Sequence, residues 1–293
     1  MRFLIVACSL MLGACATAPR ASQAGPQHLR IAAWNIEHLA ERDDSGCAPR
    51  TEADYAALRA FVTHLDADVV AFQEVESVAA AERVFTPEAW AIVMEARPGA
   101  GRISACNDRP THNINRQATG FAIRRGVAFE RMPDLTALQL GNDDLRSSVD
   151  VIVRPHGEAA IRLLVVHLKS RCASGAAGDD CAVLARQAPI VEAWMEARAH
   201  GGESFLVLGD FNRRLARPDD VIWAGWDDGA PDLGFASAGQ GAQCNPQYPE
   251  FIDHIVFNQA DVARFGNFRE WTYAGARLSD HCPISIDLDR AGE

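Results

Sequence analysis

The sequence predicts an α+β domain built on mixed β-sheet, and three observations carry that prediction. Apolar runs of strand length recur along the chain and end in polar residues; two of them are joined as a hairpin; and an amphipathic helical stretch separates two others. A chain of 293 residues, 48% hydrophobic and 23% charged, suffices for one large domain, and no internal repeat divides it.

The first segment stands apart from that domain. Arg2 precedes the apolar run FLIVACSLMLGACA, too short to span a bilayer and composed like a secretory signal. Its end, Leu12-Gly13-Ala14-Cys15, resembles the bacterial lipobox, in which the cysteine is lipidated and becomes the mature N-terminus; an ordinary cleaved signal is the alternative. Residues 1–14 are therefore expected to be a signal peptide, 15–28 a flexible tether rich in Thr, Pro, Ser, Gln and Gly, and 29–293 the folded domain. Either reading exports the protein, to the bacterial cell envelope through a lipid anchor at Cys15 or to the periplasm or exterior.

LRIAAWNIE (29–37) reads as a buried strand. In 51–65, Thr51 and Asp54 form a capping box, and Tyr55, Leu58, Val62 and Leu65 fall on one helical face. Asp66 and Asp68 end that helix and start the strand DVVAFQEVE (68–76). WAIVMEA and ATGFAIRR (118–125) are further strands, and 148–170 folds as two strands about a Pro-His-Gly turn. A helix over 181–199 is expected to kink near Pro189. SFLVLGDF, a loop-rich stretch over 213–249, FIDHIVF (251–257) and CPISIDL (282–288) complete the chain.

In an exported protein Cys47, Cys106, Cys172, Cys181, Cys244 and Cys282 form an even set that suggests disulfides. Cys172 and Cys181 bracket a soft loop and are the expected pair; counting cannot assign the others, and no CxxC supports thiolate-bound zinc. The formal net charge of −11 argues against a broad basic nucleic-acid face, yet leaves room for a local basic cleft around a bound cation.

The polar residues at strand ends carry the chemistry. Glu37, Glu74 and Asp280 are hard oxygen donors and Asn35 adds a carbonyl, a set suited to Mg²⁺ or Mn²⁺ and poor for Zn²⁺. His281, beside Asp280, is better placed to bond a phosphoryl oxygen or to act as acid or base, with Asp253 fixing its tautomer. His254 alternates with Asp253 along a strand and so faces away from any site that Asp253 faces. His38 and His112 read as loop histidines, and Trp223 and Trp226 as local packing.

WNIEHL, FQEVE, VHLKS, GDFN, FIDHI and LSDHCPI occur in the order typical of the endonuclease/exonuclease/phosphatase superfamily, and the chain resembles that family over about residues 29–289. The resemblance implies a four-layer α/β/β/α sandwich of two mixed β-sheets flanked by helices, as in deoxyribonuclease I, and a Mg²⁺-dependent phosphodiester hydrolase acting on nucleic acid. It implies that Asn35, Glu37, Glu74 and Asp280 lie on the metal side and that His167 contacts the scissile phosphate and serves as general acid. Asp210 and Asn212 match the pair that readies water and holds phosphate, and Asp253 with His281 matches an Asp-His pair. Arg146 is carried over as a phosphate contact, with Lys169 and Arg213 as substrate-side cations; Arg116, Arg124 and Arg214 are further candidates for a basic rim. Gly209 is expected to let the chain turn close to the substrate while Phe211 turns inward.

Two rivals remain open at this level. A phosphatase or sphingomyelinase-type enzyme of the same fold would share every motif and differ in its loops. A non-catalytic envelope binding module would have no physical reason to keep both water-positioning and metal-binding groups.

Overall fold

The structure, a computed structural model, describes residues 29–98, 103–155, 157–172 and 177–288. The expected signal, the Cys15 lipobox and the tether lie outside the described residues. The strands are β1 (Leu29–Leu39), β2 (Val69–Val75), β3 (Trp90–Met94), β4 (Ala118–Arg124), β5 (Ala128–Arg131), β6 (Asp150–Arg154), β7 (Ile161–His167), β8 (Phe205–Asp210), β9 (Leu233–Phe235), β10 (Asp253–Asn258), β11 (Phe265–Glu270) and β12 (Ile284–Leu288). The helices are α1 (Glu52–Leu65), α2 (Val78–Glu82), α3 (Asp179–His200) and α4 (Val221–Trp226).

These strands form two six-stranded sheets, ordered β11-β12-β1-β2-β4-β3 and β5-β6-β7-β8-β10-β9. Each sheet has one parallel pair at its centre, β1 with β2 and β7 with β8, and the remaining pairs are antiparallel. A parallel pair needs a crossover, supplied by α1 in the first sheet and α3 in the second. Strand alternation then divides the apolar runs between cores. Ile31, Ala33, Val69 and Phe121 meet Leu163, Val165, Leu206 and Leu208 between the sheets. Trp34, Val70 and Phe72 pack under Tyr55, Leu58, Val62 and Leu65 of α1, while Val166, Val207 and Phe211 pack under Leu184, Val191 and Trp194 of α3. The result is the four-layer sandwich the sequence implied. It also explains why these strands read as continuous apolar runs, since both faces are buried.

Local expectations hold in most elements. The Asp54 carboxylate accepts from Thr51 N and Oγ1 at 2.7 Å at the start of α1, and Asp66 ends that helix in the left-handed conformation at φ 48°. Asp68 precedes β2 and accepts from the Arg30 amide at 3.0 Å. Cys172 pairs with Cys181 as expected, and Cys47–Cys106 and Cys244–Cys282 complete the disulfides. The helix expected over 181–199 is present as α3, with Pro189 within it. The loop-rich stretch contains two elements that were not expected, α4 and β9. The edge strands β5 and β11 had no signal, because β5 is wholly exposed and β11 lacks a regular buried alternation. Among the described residues no helix is long and apolar enough to cross a membrane.

Candidate active site

The two central parallel pairs deliver their carboxyl ends to one rim of the sandwich. On the first sheet Asn35 of β1 stands level with Gln73 of β2, and Glu74 follows it. The pairing is interrupted between Asn35 and Leu39, where Glu37 and His38 adopt φ 45° and 50°. Glu74 and Asn212 share that left-handed region at φ 61° and 53°. Four side chains held in a conformation costing roughly 1 kcal/mol or more each mark this rim as a place where geometry outranks backbone comfort.

On the second sheet His167, Asp210 and Asp253 stand in one row across β7, β8 and β10. Gly209 precedes Asp210 with φ 134°, and a Cβ there would lie 2.2 Å from the Val166 carbonyl oxygen. The expected role of Gly209 is corrected accordingly: glycine is required by the close approach of the neighbouring strand, not by a turn toward substrate. Phe211 turns inward as expected, against Trp226 and His254, and Asn212 returns to the rim with its amide N 2.8 Å from Asp210 Oδ1.

Across the gap between sheets, imidazoles and carboxylates alternate. Asp253 Oδ2 lies 2.6 Å from His281 Nδ1, and His281 Nε2 lies 3.8 Å from Asp210 Oδ2. His167 Nε2 is 3.4 Å from Asp210 Oδ2 and 3.8 Å from Glu74 Oε1, and His38 Nε2 is 3.6 Å from Glu74 Oε2. Asn35 Nδ2 donates to Asp210 Oδ2 at 3.1 Å, tying the first sheet to the second. His281 is set from behind: Tyr273 donates to its carbonyl at 2.6 Å, and Ser279 Oγ accepts from its amide at 3.1 Å.

This arrangement separates the protonation states. Burial is the largest influence on His281 and would lower its pKa, but Asp253 and Asp210 outweigh it and hold the ring well above its usual range. Burial pushes Asp210 up to about 7, with Asp253 adding to the effect and His281 opposing it. Burial and then Arg146 hold His167 well below the usual imidazole range, so it is neutral near pH 7. Burial would raise Glu74, yet its cationic surroundings keep it below the carboxylate range.

A cavity of about 600 Å³ opens over this rim. Glu37, Glu74, His167, Asp210, Asp280 and His281 line its floor side, and Arg109, Arg146, Lys169 and Arg171 contribute positive charge to its lining.

A model of the Endonuclease/Exonuclease/phosphatase family matches residues 32–281. The chain belongs to that family. Membership makes the protein a phosphoesterase, and enzymes of this family generally depend on a divalent metal. No curated protein sequence matches the chain. Among solved structures it is similar to the catalytic domain of human Nocturnin with bound sulfate anion, at 17% identity and TM-score 0.61, covering 90% of this chain and 94% of that one. It is similar to humanized D. rerio TDP2 at 15% identity and TM-score 0.62, covering 90% and 100%. A 3'-5' exonuclease from Neisseria meningitidis aligns at 16% identity and TM-score 0.59, covering 89% and 100%. At these identities the likeness shows the fold.

The donor chemistry of this phosphoesterase fits a hard divalent ion. Glu37 Oε2 accepts from the Asp280 amide at 2.9 Å, and burial first and the Asp280 charge second raise the Glu37 pKa. Glu37, Glu74 and Asp280 line the same cavity and offer oxygen donors of the kind such an ion takes. Asn35 Oδ1 already accepts from Glu37 N at 3.0 Å and keeps one lone pair. The tightest trio of metal-capable atoms among the described residues is instead Asp210, Asp253 and His281. The 2.6 Å contact between Asp253 and His281 marks that trio as a hydrogen-bonded pair with a neighbour.

The basic candidates sort cleanly. Arg146 lines the cavity and donates to Gln117 Oε1 at 2.9 Å; Lys169 lines it too, its Nζ 2.6 Å from Asp180. Arg213 is a correction. Its side chain is 5% exposed, it pairs with buried Asp220 and donates to the Cys172 carbonyl at 3.0 Å, so it braces a loop and cannot reach substrate. Arg124 is also corrected: it lies at the far end of β4, against Trp90 and beside Asp68. Arg116 donates to the Glu95 carbonyl, and Arg214 pairs with Glu250 at 3.2 Å outside this cavity. His254 faces away as expected, 2.8 Å from the Arg213 carbonyl oxygen. Trp226 is buried and donates to the Ala188 carbonyl, and Trp223 packs on Phe235.

Three lining residues were missed. Arg109 and Arg171 sit in loops without a local signal, and His38 was read as a loop residue although it flanks Glu74.

Proposed function

We propose that the protein is an exported, Mg²⁺-dependent nuclease that hydrolyses phosphodiesters of nucleic acid. The observation that carries the proposal is the row Asp253–His281–Asp210–His167–Glu74, in which carboxylates and imidazoles alternate beside a cavity with basic side chains in its lining.

Asp210 takes a proton from the attacking water, its raised pKa making it a stronger base than an ordinary carboxylate. Asn212, two residues on, holds the water or a phosphoryl oxygen in line. His281, cationic and oriented by Asp253, donates through Nε2 to a non-bridging oxygen as negative charge develops at phosphorus. His167, neutral near pH 7, bonds the phosphate through a ring N–H, so the expected general-acid role is not carried forward and the departing oxygen takes its proton from solvent; Arg146 and Lys169 draw the polyanion to the cavity. Glu74, Glu37, Asp280 and the Asn35 carbonyl would hold the cation. Such a cation supplies Lewis-acid stabilisation of charge on phosphorus-bound oxygens. The three disulfides support export, since such bonds persist in oxidising compartments. In this proposal the N-terminal signal exports the enzyme, to the envelope if Cys15 of the lipobox is lipidated and to the periplasm or exterior if the signal is cleaved in the ordinary way.

Incubating purified protein with plasmid DNA, RNA, sphingomyelin and inositol phosphates, with Mg²⁺ and with EDTA, tests this reading. Mg²⁺-dependent cleavage of DNA or RNA supports it. Preferential turnover of sphingomyelin or an inositol phosphate would replace the nucleic-acid substrate by a lipid or inositol head group.

A further inference from the structure

A second cavity, of about 350 Å³, adjoins the first and shares Asp280 and His281 with it. The reacting centre therefore lies at the junction of two spaces rather than at the end of one. The second space is lined by Tyr248, Phe251, Arg214 and Arg277, and its wall includes the Cys244–Cys282 disulfide.

The loop that carries Tyr248 is braced at several points. The disulfide ties it to the residue after His281. The Glu270 carboxylate accepts from the Gln243 and Cys244 amides at 2.6 and 3.2 Å, and Arg217 clamps Glu250 at 2.5 and 2.6 Å. The Tyr248 amide donates to the Asn245 carbonyl at 2.8 Å. Despite this bracing the Tyr248 side chain is unburied, 58% exposed, and no ring among the described residues packs against it. A rigid loop presenting a bare aromatic beside a reacting centre is a prepared platform for a flat ring.

Charge narrows the occupant. Glu270 is satisfied by backbone amides, and Glu250 is neutralised by Arg214 and Arg217. Arg277 is 62% exposed at the rim, with only a 3.6 Å contact to Glu37. A flat ring joined to an anion meets both features, the aromatic face of Tyr248 and the guanidinium of Arg277. We propose that this second cavity is a nucleotide subsite, with Tyr248 stacking on the base next to the scissile phosphate and Arg277 facing the adjoining phosphate. The inference rests on the nuclease reading above.

Two oligodeoxynucleotides test it, each with one cleavable phosphodiester in a nuclease-resistant phosphorothioate backbone, which keeps the adjoining linkage anionic. One bears thymine on both sides of that bond, the other base-less tetrahydrofuran. In Tyr248→Ala, KM for the thymine substrate should rise roughly tenfold to hundredfold with kcat little changed, while the base-less substrate should respond less than about threefold by the same stacking logic. Tyr248→Phe should restore the wild-type KM. An unchanged KM in Tyr248→Ala, or an equal rise on both substrates, overturns the subsite and leaves the nuclease reading standing. Failure of the wild-type enzyme to cleave either oligonucleotide, DNA or RNA overturns both.

Discussion

His281 is held from one side by Asp253, with Nδ1 and Oδ2 2.6 Å apart, and this contact fixes which nitrogen faces the cavity. The ring is thereby presented through Nε2 as a donor. Activity that needs the cation is lost as pH rises through the pKa of His281, which Asp253 raises. Asp253→Asn removes that support, so the alkaline limb of kcat/KM should move to lower pH. By analogy with other carboxylate-oriented histidines, kcat should fall about 10²- to 10⁴-fold. A pH–rate profile checks both, and an alkaline limb that stays in place would exclude this role for Asp253.

In the proposed mechanism Asp210 governs the acid side. Its carboxyl is pushed up to about 7 by burial, so the base form is lost as pH falls through that region. Asp210→Ala and His281→Ala should each lower kcat about 10²- to 10³-fold, with unchanged circular dichroism. Full turnover in either folded variant would dismiss the assignment.

Arg213 and Asp220 are a buried ion pair remote from substrate. Arg213→Ala strands a buried carboxylate and should cost about 3–5 kcal/mol in urea unfolding. The variant's folded fraction should keep its kcat/KM, whereas a substrate contact would lose activity without losing stability.

Gly209→Ala forces a methyl into the 2.2 Å space before the Val166 carbonyl at a φ of 134°. Destabilisation of about 2–4 kcal/mol is expected. Activity should fall as well, because Asp210 is the next residue. Unfolding curves and residual turnover report the two effects separately.

Chelation should abolish turnover, and Mg²⁺ or Mn²⁺ should restore it far better than Zn²⁺, in keeping with oxygen donors. Glu74→Gln should weaken Mn²⁺ binding in a paramagnetic-resonance titration. Binding that is indifferent to this change would remove Glu74 from the metal side.

Much of the site was legible because its residues punctuate buried strands. Asn35, Glu74, His167 and Asp210 each end an apolar run, and a polar residue at such a boundary has few reasons to be there except chemistry. The central strands were legible for the same reason, their apolar runs being buried on both faces. Edge strands β5 and β11 were not, since they bury little and so impose no pattern. Arg213 misled because the residue after a turn has no fixed direction from pattern alone, and its direction is set by Asp220, seven positions along. His38 was missed because its position depends on the interruption in β1, a backbone event that no side-chain periodicity records.

In the proposed mechanism the two sheets divide the reaction between them. Glu37, Glu74 and the segment bearing Asp280 and His281 belong to the first, and His167, Asp210 and Asp253 to the second. Each half can keep its strands and helix without holding a complete set of reacting groups. Turnover is therefore a gauge of how well the halves are docked. A mutation that loosens the core between them should silence the enzyme while its secondary structure still looks intact.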